Sequence, residues 1–272
     1  MDFITFSSLF NRALLYTFVK KKVFTVFCVL ALTGLFAVFF RGLAWQSGQW
    51  VQLSLTFLPI FLCGGILLSL GIFLIRVYHN EVKKRPTSYR AVFAKSWEEI
   101  IGASYFAIPI ILTYLLLWIL LGVFVLLQGV PGVGNVFSAI LSFAPFLINL
   151  GTLVLCLTTL FVLFFVSPIL ALKGIDRAMV TQAVIRRVED NPFANIILLL
   201  IALLPVAVIL SLLILAALLT ETICADCSSL PEVVLKWFFI MVPFTAFLTP
   251  AIIFFFNFAA ESHVLVQKRL RG

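Results

Sequence analysis

Charged residues are scarce in this chain, and the scarcity excludes a soluble globular protein. Asp, Glu, Lys and Arg make up 11% of the 272 residues, whereas hydrophobic residues make up 63% and the mean hydropathy is +1.21. A soluble domain has about 25% charged residues, because it must cover its surface with groups that water solvates. We therefore expect a protein whose apolar surface is solvated by lipid, folded as one all-α integral membrane domain over residues 1–272.

Motifs for catalysis are also absent from the sequence. The chain has no nucleophile-elbow, P-loop or HExxH spacing, and each of these spacings is needed to place a nucleophile, a phosphate or a metal at a turn or on one helix face. Its two histidines, His79 and His263, each follow an apolar run, so interfacial side chains are a better interpretation than a metal site. These absences favour a non-enzymatic protein without a cofactor.

Acidic residues are missing from the interior of the apolar runs. All eleven Asp and Glu residues lie in loops or at the ends of runs. Because proton and ion pathways usually use intramembrane ionisable side chains, this absence argues against a proton-coupled pump or a cation channel. A pore lined by backbone carbonyls stays open as an alternative.

Six apolar runs are each long enough to cross a bilayer, which takes about 20 apolar residues. The predicted membrane spans are residues 23–40, 53–74, 100–127, 137–166, 193–219 and 237–258. A single Lys at the centre of such a run would oppose insertion by about 2.5–3.5 kcal/mol, and none is present there. The sequence therefore predicts a polytopic membrane protein with six transmembrane helices.

The distribution of Lys and Arg predicts the orientation of these spans. Residues 76–99 form the longest polar interval and carry six cations, and loops rich in cations stay on the cytoplasmic side. With this interval inside, both termini are cytoplasmic and 17 of the 19 Lys and Arg residues lie on the inner side. Only Arg41 and Lys236 lie on the outer side.

The net charge of +8 would also suit a nucleic-acid partner. Because the cations cluster on one predicted side, attraction to anionic lipid headgroups is the better interpretation. We expect membrane lipids as partners and no nucleic acid. The candidate headgroup contacts are Lys20, Lys21, Lys22, Lys83, Lys84, Arg85, Arg186 and Arg187.

Three shorter amphipathic stretches precede the odd-numbered spans, at residues 1–17, 89–100 and 177–188. Each is typical of a helix that lies in the membrane interface. An Arg-Ala-apolar triplet recurs in these stretches, and a proline recurs in the outer half of each following even span; the residues are Arg12, Arg90 and Arg177, then Pro59, Pro145 and Pro243. We predict a threefold repeat of an interfacial helix and a helical hairpin, with chance recurrence of common residues as the alternative.

Two cysteines lie in the outer loop between the last two spans. Cys224 and Cys227 are separated by two residues and face an oxidising compartment in the predicted orientation, where such a pair commonly forms a disulfide. A redox function or half of a zinc site is the alternative, but no second Cys/His pair accompanies them.

A few polar residues lie deep in the predicted spans. Tyr114, Asn149 and Asn257 are candidates for intramembrane polar contacts, either across helices or to backbone groups freed by a proline. Gly65 and Ser69 have the small-xxx-small spacing that lets another helix approach closely. The prolines inside the spans indicate kinks, and several kinks in one bundle could instead open a cavity near mid-membrane.

The segment Pro168-Ile169-Leu170-Ala171-Leu172-Lys173-Gly174, followed by Ala178 and Asn191, has the order of residues seen in one group of proteins. With the six-span layout, it resembles the YciC-like bacterial membrane proteins and the membrane domain attached to some glycerophosphodiester phosphodiesterases. Two positions depart from that pattern: Lys173 stands where an acidic residue is common, and Gln182 where a Ser is common. The resemblance implies six spans in a bacterial cytoplasmic (inner) membrane. It implies no settled activity, and we expect no soluble phosphodiesterase domain in this chain.

Two classes of function fit these observations best, and a third, an intramembrane or redox enzyme, would require Cys224 and Cys227 to take part. The first is a non-enzymatic membrane protein that holds lipid or a protein partner, or a second copy of itself, with the interfacial helices as a cytoplasmic collar. The second is a carrier or channel for an uncharged or lipid-like solute, which would need a cavity between the kinked spans.

Overall fold

The structure is a computed structural model that describes residues 3–85, 88–128, 143–173, 177–190, 192–220 and 229–271. Within these ranges the chain has no strand. The helices are α1 (Phe3–Leu15), α2 (Lys20–Leu43), α3 (Gln49–Val82), α4 (Tyr89–Gln128), α5 (Ala144–Lys173), α6 (Arg177–Asp190), α7 (Pro192–Leu219) and α8 (Leu230–Arg271). Helices α2, α3, α4, α5, α7 and α8 are long and apolar enough to cross a membrane, which confirms the predicted all-α fold with six spans.

The boundaries around the predicted loop at residues 76–99 differ from the prediction. Helix α3 continues to Val82 and α4 begins at Tyr89, so most of the interval is helical. The predicted interfacial helix at residues 89–100 is the first part of α4 and not a separate element, because no proline interrupts the chain between Tyr89 and Pro109. At 1.5 Å per residue, α4 is about 60 Å long, twice a hydrocarbon core of about 30 Å.

The spanning helices form an inner and an outer group. Helices α3, α5 and α8 contact one another, whereas α2, α4 and α7 lie outside them. The apolar windows of the inner helices are 61%, 50% and 33% buried, against 22%, 11% and 11% for the outer ones. Each inner helix is the second member of a predicted hairpin, as a threefold repeat would require. The repeat itself stays a prediction.

Small residues bring α3 close to two neighbours. A Cβ at Gly65 would lie 3.2 Å from the Cβ of Ala107 on α4, and the Ser69 hydroxyl donates to the Ile100 carbonyl of α4 at 3.0 Å. On another side of α3, a Cβ at Gly71 would overlap the Phe256 ring of α8. The predicted close approach at Gly65 and Ser69 is confirmed, and α4 is the helix that approaches.

Helix α1 packs onto the bundle. Ala13 is fully buried and Leu9 is buried, and the Phe10 ring meets the Phe254 ring of α8 edge-on at a centroid distance of 5.0 Å. This burial differs from the prediction of a helix that only lies in the interface. The reason is that α8 offers α1 a surface, at Phe254 and Asn257 within predicted span 6 and at Glu261 just beyond it.

The two ends of the bundle carry different residues. We call the end that contains the start of α2, the end of α3 and the start of α4 the basic end, after Lys20, Lys83 and Arg90. The end of α2 and the start of α8 lie at the opposite end, where the Arg41 guanidinium lies 5.4 Å from the centre of the Trp237 ring.

Candidate functional site

The basic end contains a cluster of ionised side chains and one tyrosine that are largely shielded from solvent. Four helices supply it, because α2 starts, α3 ends and α4 starts at this level, and α8 passes through it. The cluster consists of Lys22, Arg76, Tyr78, Glu81, Glu99 and Glu261. We call it the charge cluster.

The pair of Lys22 and Glu81 joins α2 to α3. The Lys22 ammonium lies 2.6 Å from a Glu81 carboxylate oxygen, and the two side chains are 0% and 13% exposed. The ammonium also donates to the Tyr16 carbonyl at 3.1 Å and lies 5.6 Å from the centre of the Tyr78 ring. Lys22 therefore has its charge neutralised inside the protein, which differs from its predicted place among the lipid contacts.

Arg76 joins three helices. Its guanidinium donates to the Ala171 carbonyl of α5 at 2.9 Å and to the Ser96 hydroxyl of α4 at 2.7 Å. It also forms an ion pair with Glu99 of α4 at 2.8 Å. An arginine suits this position because its planar fork presents several donors in fixed directions. From the sequence alone, Arg76 is predicted only as one of the loop cations that set the orientation of the spans.

Glu261 joins α8 to α3 and α1. The Tyr78 hydroxyl donates to a Glu261 oxygen at 2.5 Å, and the Arg12 guanidinium lies 3.6 Å from the same oxygen. The Glu261 side chain is buried, so these two partners replace the water that it loses. No sequence pattern singled out Glu261, because its partners are far away in the chain.

Asn257 lies one turn before Glu261 and also holds α1. Its side chain is fully buried, and its amide nitrogen donates to the Ala13 carbonyl at 3.2 Å. Among the described atoms its amide oxygen has no hydrogen-bond partner. Asn257 is one of the predicted intramembrane polar residues, and its side chain links α8 to α1.

The other two predicted intramembrane residues lie together between α3, α4 and α5. The Tyr114 hydroxyl donates to the Ser54 carbonyl, and Asn149 lines the same small void beside Thr152. That void measures about 10 Å³, as does a second one beside Gly64. Since one water needs about 10–15 Å³, neither void could pass a solute, and the structure offers the carrier hypothesis no support at these two voids.

The exposed cations form a separate set from the charge cluster. Of the predicted lipid contacts, six have exposed side chains: Lys20, Lys21, Lys83, Lys84, Arg85 and Arg186. The side chain of Arg187 is not among those that the structure describes. Apart from Arg186 on α6, these cations lie at the α1–α2 and α3–α4 junctions, on the surface of the basic end.

The predicted disulfide, Cys224 with Cys227, lies outside the described residues. Cys28, Cys63 and Cys156 are free thiols within α2, α3 and α5. In the described part of the chain, no three His, Cys, Asp or Glu residues are grouped so that they could hold a metal ion.

The charge cluster holds helix ends together through ion pairs, and we call this arrangement the clamp. Each buried or half-buried cation in it has a carboxylate partner, and each ion pair joins different helices. Removing one partner of such a buried pair costs about 3–5 kcal/mol, because the other charge is left without compensation. The geometry therefore locks the ends of α1, α2, α3, α4 and α8 together.

Comparison with known proteins adds no relative. No family model, no curated protein and no solved structure matches this chain. The resemblance to the YciC-like proteins stays a prediction.

Proposed function

We propose that this chain is a non-enzymatic multi-pass protein of the bacterial cytoplasmic membrane, with both termini in the cytoplasm, and that its basic end holds anionic lipid headgroups. The main observation in support is that the cations at that end fall into two sets, one buried and paired and the other exposed. Lys22 and Arg76 are paired with carboxylates inside the bundle, whereas Lys20, Lys21, Lys83 and Lys84 are exposed.

This division supports lipid binding because the two sets need different partners. The clamped cations have carboxylates from neighbouring helices, so they stabilise the fold. The exposed cations lie around the ends of apolar helices, where a bilayer would present its headgroups. Each cation near an anionic membrane surface contributes about 1 kcal/mol of attraction.

Large aromatic side chains at the same level also support this position in a membrane. Phe18, Trp97 and Phe193 are all exposed; Phe18 lies just before α2, Trp97 in the third turn of α4 and Phe193 in the first turn of α7. Aromatic rings are enriched where headgroups meet hydrocarbon. Exposed cations and exposed aromatic rings near one end of the bundle are what an interfacial collar requires.

The experiment compares lipid retention by two charge-matched variants. The double variant Lys83→Gln/Lys84→Gln removes two exposed cations from the basic end, and Arg41→Gln/Lys236→Gln removes two from the opposite end. Native mass spectrometry counts the phosphatidylglycerol that each variant retains from a mixture with phosphatidylcholine. We expect the first variant to lose up to about 30-fold in preference for the anionic lipid, from about 1 kcal/mol per cation.

Salt supplies a second test of the same proposal. The preference of the unaltered protein should weaken as salt rises, because the Debye length falls from about 10 Å at 0.1 M to about 3 Å at 1 M. Equal loss in both double variants, or a preference that is indifferent to salt, would contradict the proposal. The exposed cations would then be assigned to a protein partner.

A further inference from the structure

A large cleft lies at the opposite end of the bundle, between α7 and α8. Its volume is about 630 Å³, within the range of about 300–1,000 Å³ of small-molecule sites. It is lined by Leu213, Ala216, Ala217, Thr220, Leu235, Lys236, Phe239, Ile240, Pro243 and Phe244. The cleft is distinct from the charge cluster, which lies at the basic end.

The cleft has an apolar body and a polar rim. Small side chains at Ala216 and Ala217 leave space on α7, and Phe239 and Phe244 form the facing wall on α8. The two polar residues of the lining, Thr220 and Lys236, lie near the C-terminus of α7 and the N-terminus of α8, respectively. From Lys236 to Phe244 the cleft extends over eight residues, about 12 Å along the helix.

Trp237 marks the depth of the cleft. It directly follows Lys236, and the Arg41 guanidinium lies over its ring. A tryptophan beside a cation is typical of the headgroup level. Lys236 therefore lies at headgroup level and Phe244 lies in the hydrocarbon, so the cleft runs from the membrane surface into the upper part of one leaflet.

A charge of each sign lies at or beside the rim, because Lys236 lines the cleft and Glu232, which does not line it, is the ion-pair partner of Lys236. The Lys236 ammonium lies 2.9 Å from a Glu232 carboxylate oxygen, and the two side chains are 49% and 40% exposed. An exposed ion pair of this kind contributes little to stability, so a headgroup can join it at little cost to the fold. A headgroup that carries a phosphate and an ammonium complements this rim, whereas a purely anionic headgroup would meet Glu232.

We propose that this cleft binds one acyl chain of a zwitterionic phospholipid from the adjacent leaflet, with Lys236 at the lipid phosphate and Glu232 at its ammonium. The cleft and the basic end lie at opposite ends of the molecule, and the lipid class proposed for the cleft differs from that proposed for the basic end. Either proposal can therefore fail without the other.

The experiment places a photoreactive benzoylphenylalanine at Phe244, in the cleft, or at Phe247, which is exposed on the same helix outside it. Cells are irradiated before and after extraction and purification in detergent. Before extraction both positions face lipid, and both should crosslink to it. After purification the Phe244 probe should still give a phosphatidylethanolamine adduct, and the Phe247 probe should have lost most of its adduct.

Filling the cleft provides the second arm. Ala216→Trp places an indole in the cleft, whereas Leu212→Trp changes an exposed residue of α7 that does not line it. Native mass spectrometry should show at least about a tenfold loss of retained phosphatidylethanolamine for Ala216→Trp, equivalent to about 1.4 kcal/mol, and none for Leu212→Trp.

Three results would overturn the proposal. Equal retention by the two tryptophan variants would show that the cleft does not hold the lipid. A preference for phosphatidylglycerol at the cleft would contradict the assigned headgroup. A crosslink from Phe244 to the protein itself, or to another protein, would show a different occupant.

Discussion

Replacing Lys22 with Met should destabilise the protein far more than replacing its neighbour Lys21. Lys22 is fully buried with its ammonium 2.6 Å from Glu81, whereas Lys21 is exposed. Lys22→Met leaves the Glu81 carboxylate without its counter-charge, at a cost of about 3–5 kcal/mol. Lys21→Met removes one surface charge and should change the free energy of unfolding by less than about 0.5 kcal/mol.

The assay is thermal unfolding in one detergent, followed by the loss of helical circular dichroism. For a chain of this size about 1 kcal/mol corresponds to about 2–3 °C, so Lys22→Met should lower Tm by roughly 6–15 °C. The double variant Lys22→Met/Glu81→Leu should recover most of this loss, because two apolar side chains leave no buried charge unpaired. Equal losses for Lys21→Met and Lys22→Met would refute the buried pair.

Three further predictions concern other contacts. Arg76→Met should cost about 1.5–3 kcal/mol by the same unfolding assay, because it leaves Glu99 and the Ala171 carbonyl without their donor, and the cost is below that of a fully buried pair since the Arg76 and Glu99 side chains are 19% and 22% exposed; a loss below about 1 kcal/mol would contradict the clamp. Gly65→Leu should cost about 1–3 kcal/mol by forcing α3 away from α4, and unchanged stability would show that the helices do not pack there. Asn257→Leu should increase proteolysis of α1 while Tm falls by only a few degrees, since about 0.5–1.5 kcal/mol is expected for one hydrogen bond; unaltered proteolysis would show that Asn257 does not hold α1.

The spans could be predicted from the sequence because each depends on a local property. A run of about 20 apolar residues has few alternatives to a membrane helix, and six runs indicated six helices. The approach of another helix to Gly65 and Ser69 was predicted for the same reason, since the two small residues lie on one face of one helix. The local sequence pattern does not show which helix approaches these two residues.

The helix boundaries at residues 76–99 were wrong for a physical reason. The prediction placed a helical stretch at residues 89–100 and left residues 76–82 in a loop, whereas α3 continues to Val82 and α4 contains residues 89–100 without a break. A helix can continue past its apolar run when neighbouring helices supply hydrogen-bond partners for its shielded polar side chains. Arg76, Ser96 and Glu99 are such partners for one another.

The charge cluster could not be predicted because its contacts are distant in sequence. Lys22 and Glu81 are 59 residues apart, and Tyr78 and Glu261 are 183 apart. A cation beside an apolar run has the same sequence signature whether it faces a headgroup or a buried carboxylate. The one usable signal was the presence of glutamates among the cations of the basic segments, which a protein needing only surface charge would not require.

The orientation of the bundle is the central claim, because both lipid proposals depend on which leaflet each end meets. The most direct measurement uses a background in which Cys224 and Cys227 are replaced by Ser, with one cysteine introduced at Lys84 or at Glu232. A membrane-impermeant maleimide is applied to intact cells. A membrane-permeable maleimide, which reaches cysteines on both sides, serves as the reference. We expect labelling at position 232 in intact cells and at position 84 only after the cells are broken; labelling at position 84 in intact cells, with position 232 protected, would show the reverse orientation.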